Sequence, residues 1–161
     1  KRIFTVLLFT FFSLLSIYSW HDPAHGKERQ DHKGTELGLG TGLVFAPGEQ
    51  ETGYGIHLHG IRQLTNYLGV GAGYEIILGD HGHQTISALL NLKPFHFVEV
   101  NMGPGLVLPG KEHDHAEWTL HGELGFPLEV TDRFHVGPMV DIGWSPDETH
   151  YMLGLHLGVH L

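Results

Sequence analysis

The chain has 161 residues and a net charge of −9, with no cysteine, 23 glycines and 15 histidines against only 9 lysines and arginines. Without cysteine, disulfides, thiolate metal sites and cysteine nucleophiles are excluded. The acidic balance leaves nothing to neutralise phosphates, which excludes a nucleic-acid partner. So few cations are also too few for an ordinary soluble surface of this size.

Lys1 and Arg2 precede an apolar run from Ile3 to Ile17, followed by Tyr18 and Ser19. A basic start, a short hydrophobic stretch and small or polar residues describe a secretory signal peptide, too short for a membrane-spanning helix of about 20 residues. It is expected to occupy residues 1–19, with cleavage after Ser19. A polar leader over residues 20–33 carries His21, His25 and His32 among Asp22, Glu28 and Asp31.

Residues 34–161 show period-two alternation rather than helical periodicity. Strands are expected over Thr35–Phe45, Gly53–Gln63, Tyr67–Ile77, Gln84–Leu92, Phe97–Leu108, Glu117–Leu128, Phe134–Trp144 and Thr149–Leu161. In the first, Leu37, Leu39, Leu43 and Phe45 oppose Glu36, Gly38, Gly40 and Gly42. In the last, Tyr151, Leu153, Leu155, Leu157 and Val159 oppose His150, Gly154, His156, Gly158 and His160. Turn residues separate them, among them Pro47-Gly48, Thr65-Asn66, Pro109-Gly110, Thr131-Asp132 and Pro146-Asp147. The fold class expected is all-β: an eight-stranded antiparallel up-and-down transmembrane β-barrel. Pro104 and Pro138 fall inside strands, where each removes a ladder hydrogen bond, and bulges are expected there.

The polarity of the two faces separates a membrane barrel from a soluble one. The non-apolar face is mostly glycine with isolated histidine and glutamate, which suits a narrow eight-stranded lumen. Arg62, Lys93, Lys111 and Arg133 all fall at strand ends or in turns, as a hydrocarbon-facing wall demands. Phe45, Tyr54, Tyr74, Trp118, Trp144 and Tyr151 gather toward one rim, and Tyr67, Phe95, Phe97, Phe126 and Phe134 toward the other. Two such girdles mark bilayer interfaces.

Over Gly34–Leu161 this pattern resembles the small outer-membrane barrels of Gram-negative bacteria, the class that includes the membrane domain of OmpA. More narrowly, Gly55-Ile56-His57-Leu58-His59, Val70-Gly71-Ala72-Gly73-Tyr74-Glu75, Phe134-His135-Val136-Gly137-Pro138 and Leu153-Gly154-Leu155-His156-Leu157-Gly158 look like the histidine-rich barrels of the Bacteroidota. The resemblance implies a monomer in the bacterial outer membrane, with lipid as its surroundings. It brings no particular activity.

Three groups of histidines bear on function. His81 and His83 flank Gly82 in one outer loop, His113 and His115 flank Asp114 in the next, and His150 opens the last strand at the same rim. Residues two apart on extended chain point the same way, so each pair is able to grip one ion, and imidazole with carboxylate suits zinc, copper or nickel. His81, His83, His113, Asp114, His115 and His150 are therefore the expected metal ligands, in a mouth also rich in Glu49, Glu51, Asp80, Glu112, Glu117, Asp147 and Glu148. The second group, His57, His59, His121, His135, His156 and His160, has lumen parity with Glu36, Glu75, Glu99, Glu123 and Asp141. That group reads either as a polar network or as a buried metal site. The leader histidines form the third.

The expected function is binding or buffering of divalent transition metal at the envelope, accessory to a metal-handling system. The alternatives are a structural or adhesive barrel without ligand, and a lipid-modifying enzyme. The enzyme is disfavoured because Ser87 and Ser145, the serines of the barrel region, do not sit two residues from a histidine.

Overall fold

The computed structural model describes residues 34–47, 51–79, 82–109, 115–146 and 148–161. The expected signal segment and leader lie outside them, as do His81, His113 and Asp114. Alternating sequence forms nine strand segments: β1 (Thr35–Ala46), β2 (Glu51–Gln63), β3 (Leu68–Leu78), β4 (Gln84–Phe95), β5 (Val98–Val107), β6 (Glu117–Gly125), β7 (Leu128–Thr131), β8 (Phe134–Trp144) and β9 (Thr149–His160). Each pairs antiparallel with its neighbours, β1 also pairs with β9, and β6 with β8, so the sheet closes on itself. Closure leaves no open edge in hydrocarbon.

β6 and β7 are two halves of one wall strand, which makes the barrel eight-stranded. Both pair with β8 in one register, from Leu120↔Trp144 to Gly125↔Met139 and again at Leu128↔Val136 and Glu129↔His135, before a shift at Thr131↔Phe134 beside the turn. The break falls where Phe126 and Pro127 face Pro138 and Gly137, and the two prolines offer no N–H to the ladder. Phe126 still donates its N–H to the Pro138 carbonyl at 3.0 Å.

The bulges expected at Pro104 and Pro138 do not form. The β4–β5 ladder skips the Ala88 and Leu89 pairings opposite Pro104 and Gly103 and resumes unshifted at Leu90↔Met102. Its register shift lies instead near the turn, between Leu92 and Phe95. The glycine before each proline explains why no extra residue is needed. A Cβ on Gly103 would collide with the Ala88 carbonyl oxygen, and one on Gly137 with that of Phe126. Close approach of the neighbouring backbone absorbs what a bulge would otherwise relieve.

The polarity is inverted relative to a soluble barrel. Leu37, Leu43, Leu58, Leu120, Leu153 and Leu155 face outward and are exposed, whereas Glu36, His57, Asn91, Glu99, Asn101 and Asp141 are almost fully buried in the bore. This is a transmembrane β-barrel. Among the described residues no helix is long and apolar enough to cross a membrane. Trp118 and Trp144 pack edge to face at 5.3 Å on one rim, and Phe95 and Phe97 stack at 5.6 Å on the other. Thr65 and Thr131 close the turns on the second rim, each hydroxyl accepting backbone N–H bonds from residues two and three further on. One part of the bore is apolar, a cluster of Val44, Ile77, Met139 and Met152 that alternation alone did not foresee.

Leu155 stands mid-strand, 54% exposed on the outer wall. Leu155→Arg should cost about 2–4 kcal/mol of folding free energy in phospholipid vesicles, and Leu161→Arg at the rim about 0–1 kcal/mol. Denaturant titration of both variants checks this difference.

Candidate metal centre

The rim carrying the β1–β2, β3–β4, β5–β6 and β8–β9 connections is the mouth. His83 precedes β4 with the parity of Thr85 and Ser87, so its ring turns into the bore and is buried. His150 enters from β9 with the same inward orientation, and the two rings lie 5.3 Å apart. His150 Nε2 is 3.2 Å from Glu75 Oε1 of β3, and His83 Nδ1 is 3.9 Å from Glu148 Oε2. Glu75, His83 and His150 each offer an atom within 4.8 Å of the others, the geometry of a three-ligand centre. A cavity of about 10 Å³ beside them is lined by His83, Thr119, Ser145, Glu148 and His150. That volume admits one water molecule or one ion.

Of the expected ligands, the fold therefore brings together His83 and His150 and adds Glu75. His115 is exposed ahead of β6 and does not share a ligand-atom group with these residues. His81, His113 and Asp114 lie outside the described residues. Glu75 was legible as a lumen carboxylate, but its partnership with His150 rests on strand order, which pairing along one strand does not reveal.

Below the mouth the bore is filled by polar side chains. His57 Nδ1 is 2.9 Å from Glu123 Oε2, and His121 Nε2 is 3.1 Å from Asp141 Oδ2. Imidazoles continue toward the far rim, with His57–His59, His59–His156, His135–His156 and His135–His160 ring centroids 5.0–5.2 Å apart. At that rim Lys93 donates to Glu36 at 2.7 Å and lies 3.4 Å from Glu99. Asn91 donates to Glu99 and Asn101, and Asn101 to Glu123 at 3.1 Å, tying the clusters together.

The glycine-rich face makes this filling feasible. A Cβ at Gly143 would collide with the His150 ring, one at Gly158 with His135, and one at Gly38 with His59. Each imidazole lies over a neighbouring strand's bare backbone because an eight-stranded bore has no other room.

Ser87 bears on the enzymatic alternative. Its hydroxyl and His57 Nε2 both crowd the space above Gly73, so a serine, a histidine and Glu123 meet at one level although their sequence positions gave no sign of it. All three side chains are buried, which leaves a lipid substrate no approach.

No protein-family model matches the chain, and no characterised protein matches it by sequence. Solved structures do match in fold. Neisserial surface protein A aligns at a TM-score of 0.58 and 11% identity, over 79% of this chain and 96% of its own. Ail, the attachment invasion locus protein of Yersinia pestis, aligns at 0.52 and 12%, over 80% and 99%. A transmembrane β-barrel designed de novo aligns at 0.54 and 12%, over 79% and 96%. The class is thus the small eight-stranded transmembrane barrel, and likeness at this identity is one of fold.

Two outcomes follow from these contacts. Lys93→Met should destabilise the barrel by about 3 kcal/mol, the lower end for breaking a buried ion pair, because Lys93 keeps some contact with water. Adding Glu36→Gln should recover part of that loss in the same denaturant titration. Gly143→Ala should displace the His150 ring and lengthen its contact with Glu75, seen as shifted His150 imidazole resonances in a barrel that still closes.

Proposed function

We propose that this chain is an outer-membrane barrel that binds a divalent transition metal at its mouth and holds it at the envelope, as an accessory to metal handling. The observation that carries this reading is the grouping of Glu75, His83 and His150 within 4.8 Å of one another, beside a cavity sized for one ion that His83, Glu148 and His150 line. Two imidazoles and a carboxylate, with room for a water, suit zinc, copper or nickel. The loop residues His81, His113, Asp114 and His115 belong to the same acidic rim in this proposal, gathering cations toward the buried ligands.

The apolar outer wall and the fold shared with Neisserial surface protein A and Ail support a place in the bacterial outer membrane, reached through the expected signal segment. Lipid is then the main partner, and the barrel works as a monomer. A barrel this narrow and this filled does not conduct by diffusion.

Adhesion is the second reading. It is favoured by a hollow of about 360 Å³ on the same rim, lined by Pro47, Trp144, Pro146, Glu148 and Tyr151. Ail has been solved with a heparin analogue, sucrose octasulfate. The acidic rim here would repel such a sulfated ligand, which weighs against that kind of adhesion.

Calorimetric titration of the refolded barrel with zinc tests the proposal. Wild type should bind one exchangeable ion, His83→Ala/His150→Ala should bind roughly tenfold or more weakly, and His81→Ala/His113→Ala/His115→Ala should lose less. Binding should also weaken from pH 7.5 to pH 5.5, because imidazole ligates only when deprotonated. Superimposable isotherms for wild type and the His83/His150 variant would end the proposal.

A further inference from the structure

The buried carboxylates among the described residues are Glu36, Glu75, Glu99, Glu123 and Asp141. Lys93 stands between Glu36 and Glu99 at the far rim, and Glu75 meets His150 at the mouth. Glu123 and Asp141 remain, side by side in the β6–β8 ladder and each about 1% exposed. Two adjacent carboxylates so deeply buried require either a bound proton or positive charge close by. Among the described residues, only imidazoles and amides reach them.

We propose that His57, His121, Glu123 and Asp141 hold a second metal ion, structural rather than exchangeable, midway along the bore and distinct from the mouth site. The four side chains each present a ligand atom within 4.8 Å of the others. Three of the six edges are 2.9 Å from His57 Nδ1 to Glu123 Oε2, 3.1 Å from His121 Nε2 to Asp141 Oδ2, and 3.9 Å from His57 Nδ1 to Asp141 Oδ2. A tetrahedral ion with bonds of about 2.0 Å has edges of about 3.3 Å, and the other three edges here lie within 4.8 Å. Neither Asp141 oxygen has a hydrogen bond, and His121 Nε2 lies close to Asp141 but is not aligned to donate. Misaligned, unpartnered atoms at this depth are ligand atoms without their ion's geometry rather than a finished hydrogen-bond network. Outside them, Asn101 holds the second oxygen of Glu123, the kind of support that orients a ligating carboxylate.

Two neutral imidazoles, two carboxylates and a divalent ion sum to zero charge, which resolves the burial of Glu123 and Asp141 together. The donor set is nitrogen and oxygen without sulfur, and tetrahedral, which favours zinc. Placement gives the ion a job. The strand order puts β2, which carries His57, directly across the barrel from β6, which carries His121 and Glu123. One ion then ties opposite walls and seals the bore, so metal at the mouth does not pass through it. With every ligand buried, the ion enters as the barrel closes and leaves slowly.

The test refolds the full barrel in detergent with zinc, dialyses it against chelator and measures retained metal by mass spectrometry. Wild type should keep one equivalent, and so should the mouth variant His83→Ala/His150→Ala. Glu123→Gln/Asp141→Asn, which preserves shape, should keep none. Should that variant not fold, cobalt in the wild type and the mouth variant decides the matter: intense tetrahedral bands in the visible support the site, and a weak octahedral spectrum overturns it. No retained metal in folded wild type would overturn it, as would metal lost from the mouth variant but kept by Glu123→Gln/Asp141→Asn. Failure of the mouth titration would leave this outcome untouched, since that experiment reads only exchangeable metal.

Discussion

An eight-stranded barrel in hydrocarbon has an interior too narrow for bulk water, so each polar side chain turned inward must find its partner among the others. Everything particular to this chain follows from that confinement. Its strands send apolar side chains to the lipid and polar ones into the bore, and the inward set is short of cations. Lys93 serves Glu36 and Glu99 at one end, while Glu75, Glu123 and Asp141 are left to histidine. Imidazole suits the role because it is compact, neutral or charged as its surroundings dictate, and able to ligate metal through either nitrogen.

Glycine and histidine abundance are two aspects of one solution. Imidazole rings fit a narrow bore only where the strand beside them lacks Cβ atoms, as at Gly38, Gly143 and Gly158. A bore lined this way becomes a column of rings about 5 Å apart interleaved with carboxylates. Buried imidazole and carboxylate together are metal-ligand chemistry whether or not any loop takes part. That is why both proposed sites lie in the bore, with the acidic loops left in the proposal to attract cations.

Much of the fold was legible in the sequence, since period-two alternation is local: Glu36, His57, Glu123 and Asp141 are buried in the bore and Leu37, Leu43, Leu153 and Leu155 are exposed on the wall, as that pattern predicts. The expected partner of His83 in its loop, His81, lies outside the described residues, and the relation the structure does show is another. The parity of His83 with Thr85 and Ser87 aims it into the bore, toward His150, a signal present in the sequence but outweighed by the His-x-His spacing. The bulges expected at Pro104 and Pro138 did not follow, because Gly103 and Gly137 let the neighbouring backbone close in without an added residue. The mid-bore group was hidden for a different reason. His57 and Glu123 are 66 positions apart and meet only because closure sets β2 across from β6. Strand order and shear decide such contacts, and neither is written into one strand's pattern. The apolar cluster of Val44, Ile77, Met139 and Met152 escaped likewise, since single apolar residues at inward positions read as interruptions of the pattern.

The inverted polarity is the claim on which the bore chemistry rests. Nuclear Overhauser transfer from detergent acyl chains to methyl groups of the refolded barrel measures it directly. Leu37, Leu120, Leu153 and Leu155 should receive transfer while Met139 and Met152 receive none. Strong acyl contacts to Met139 and Met152 with silent Leu120 and Leu155 would mean that the wall faces the other way, and the account would fall with it.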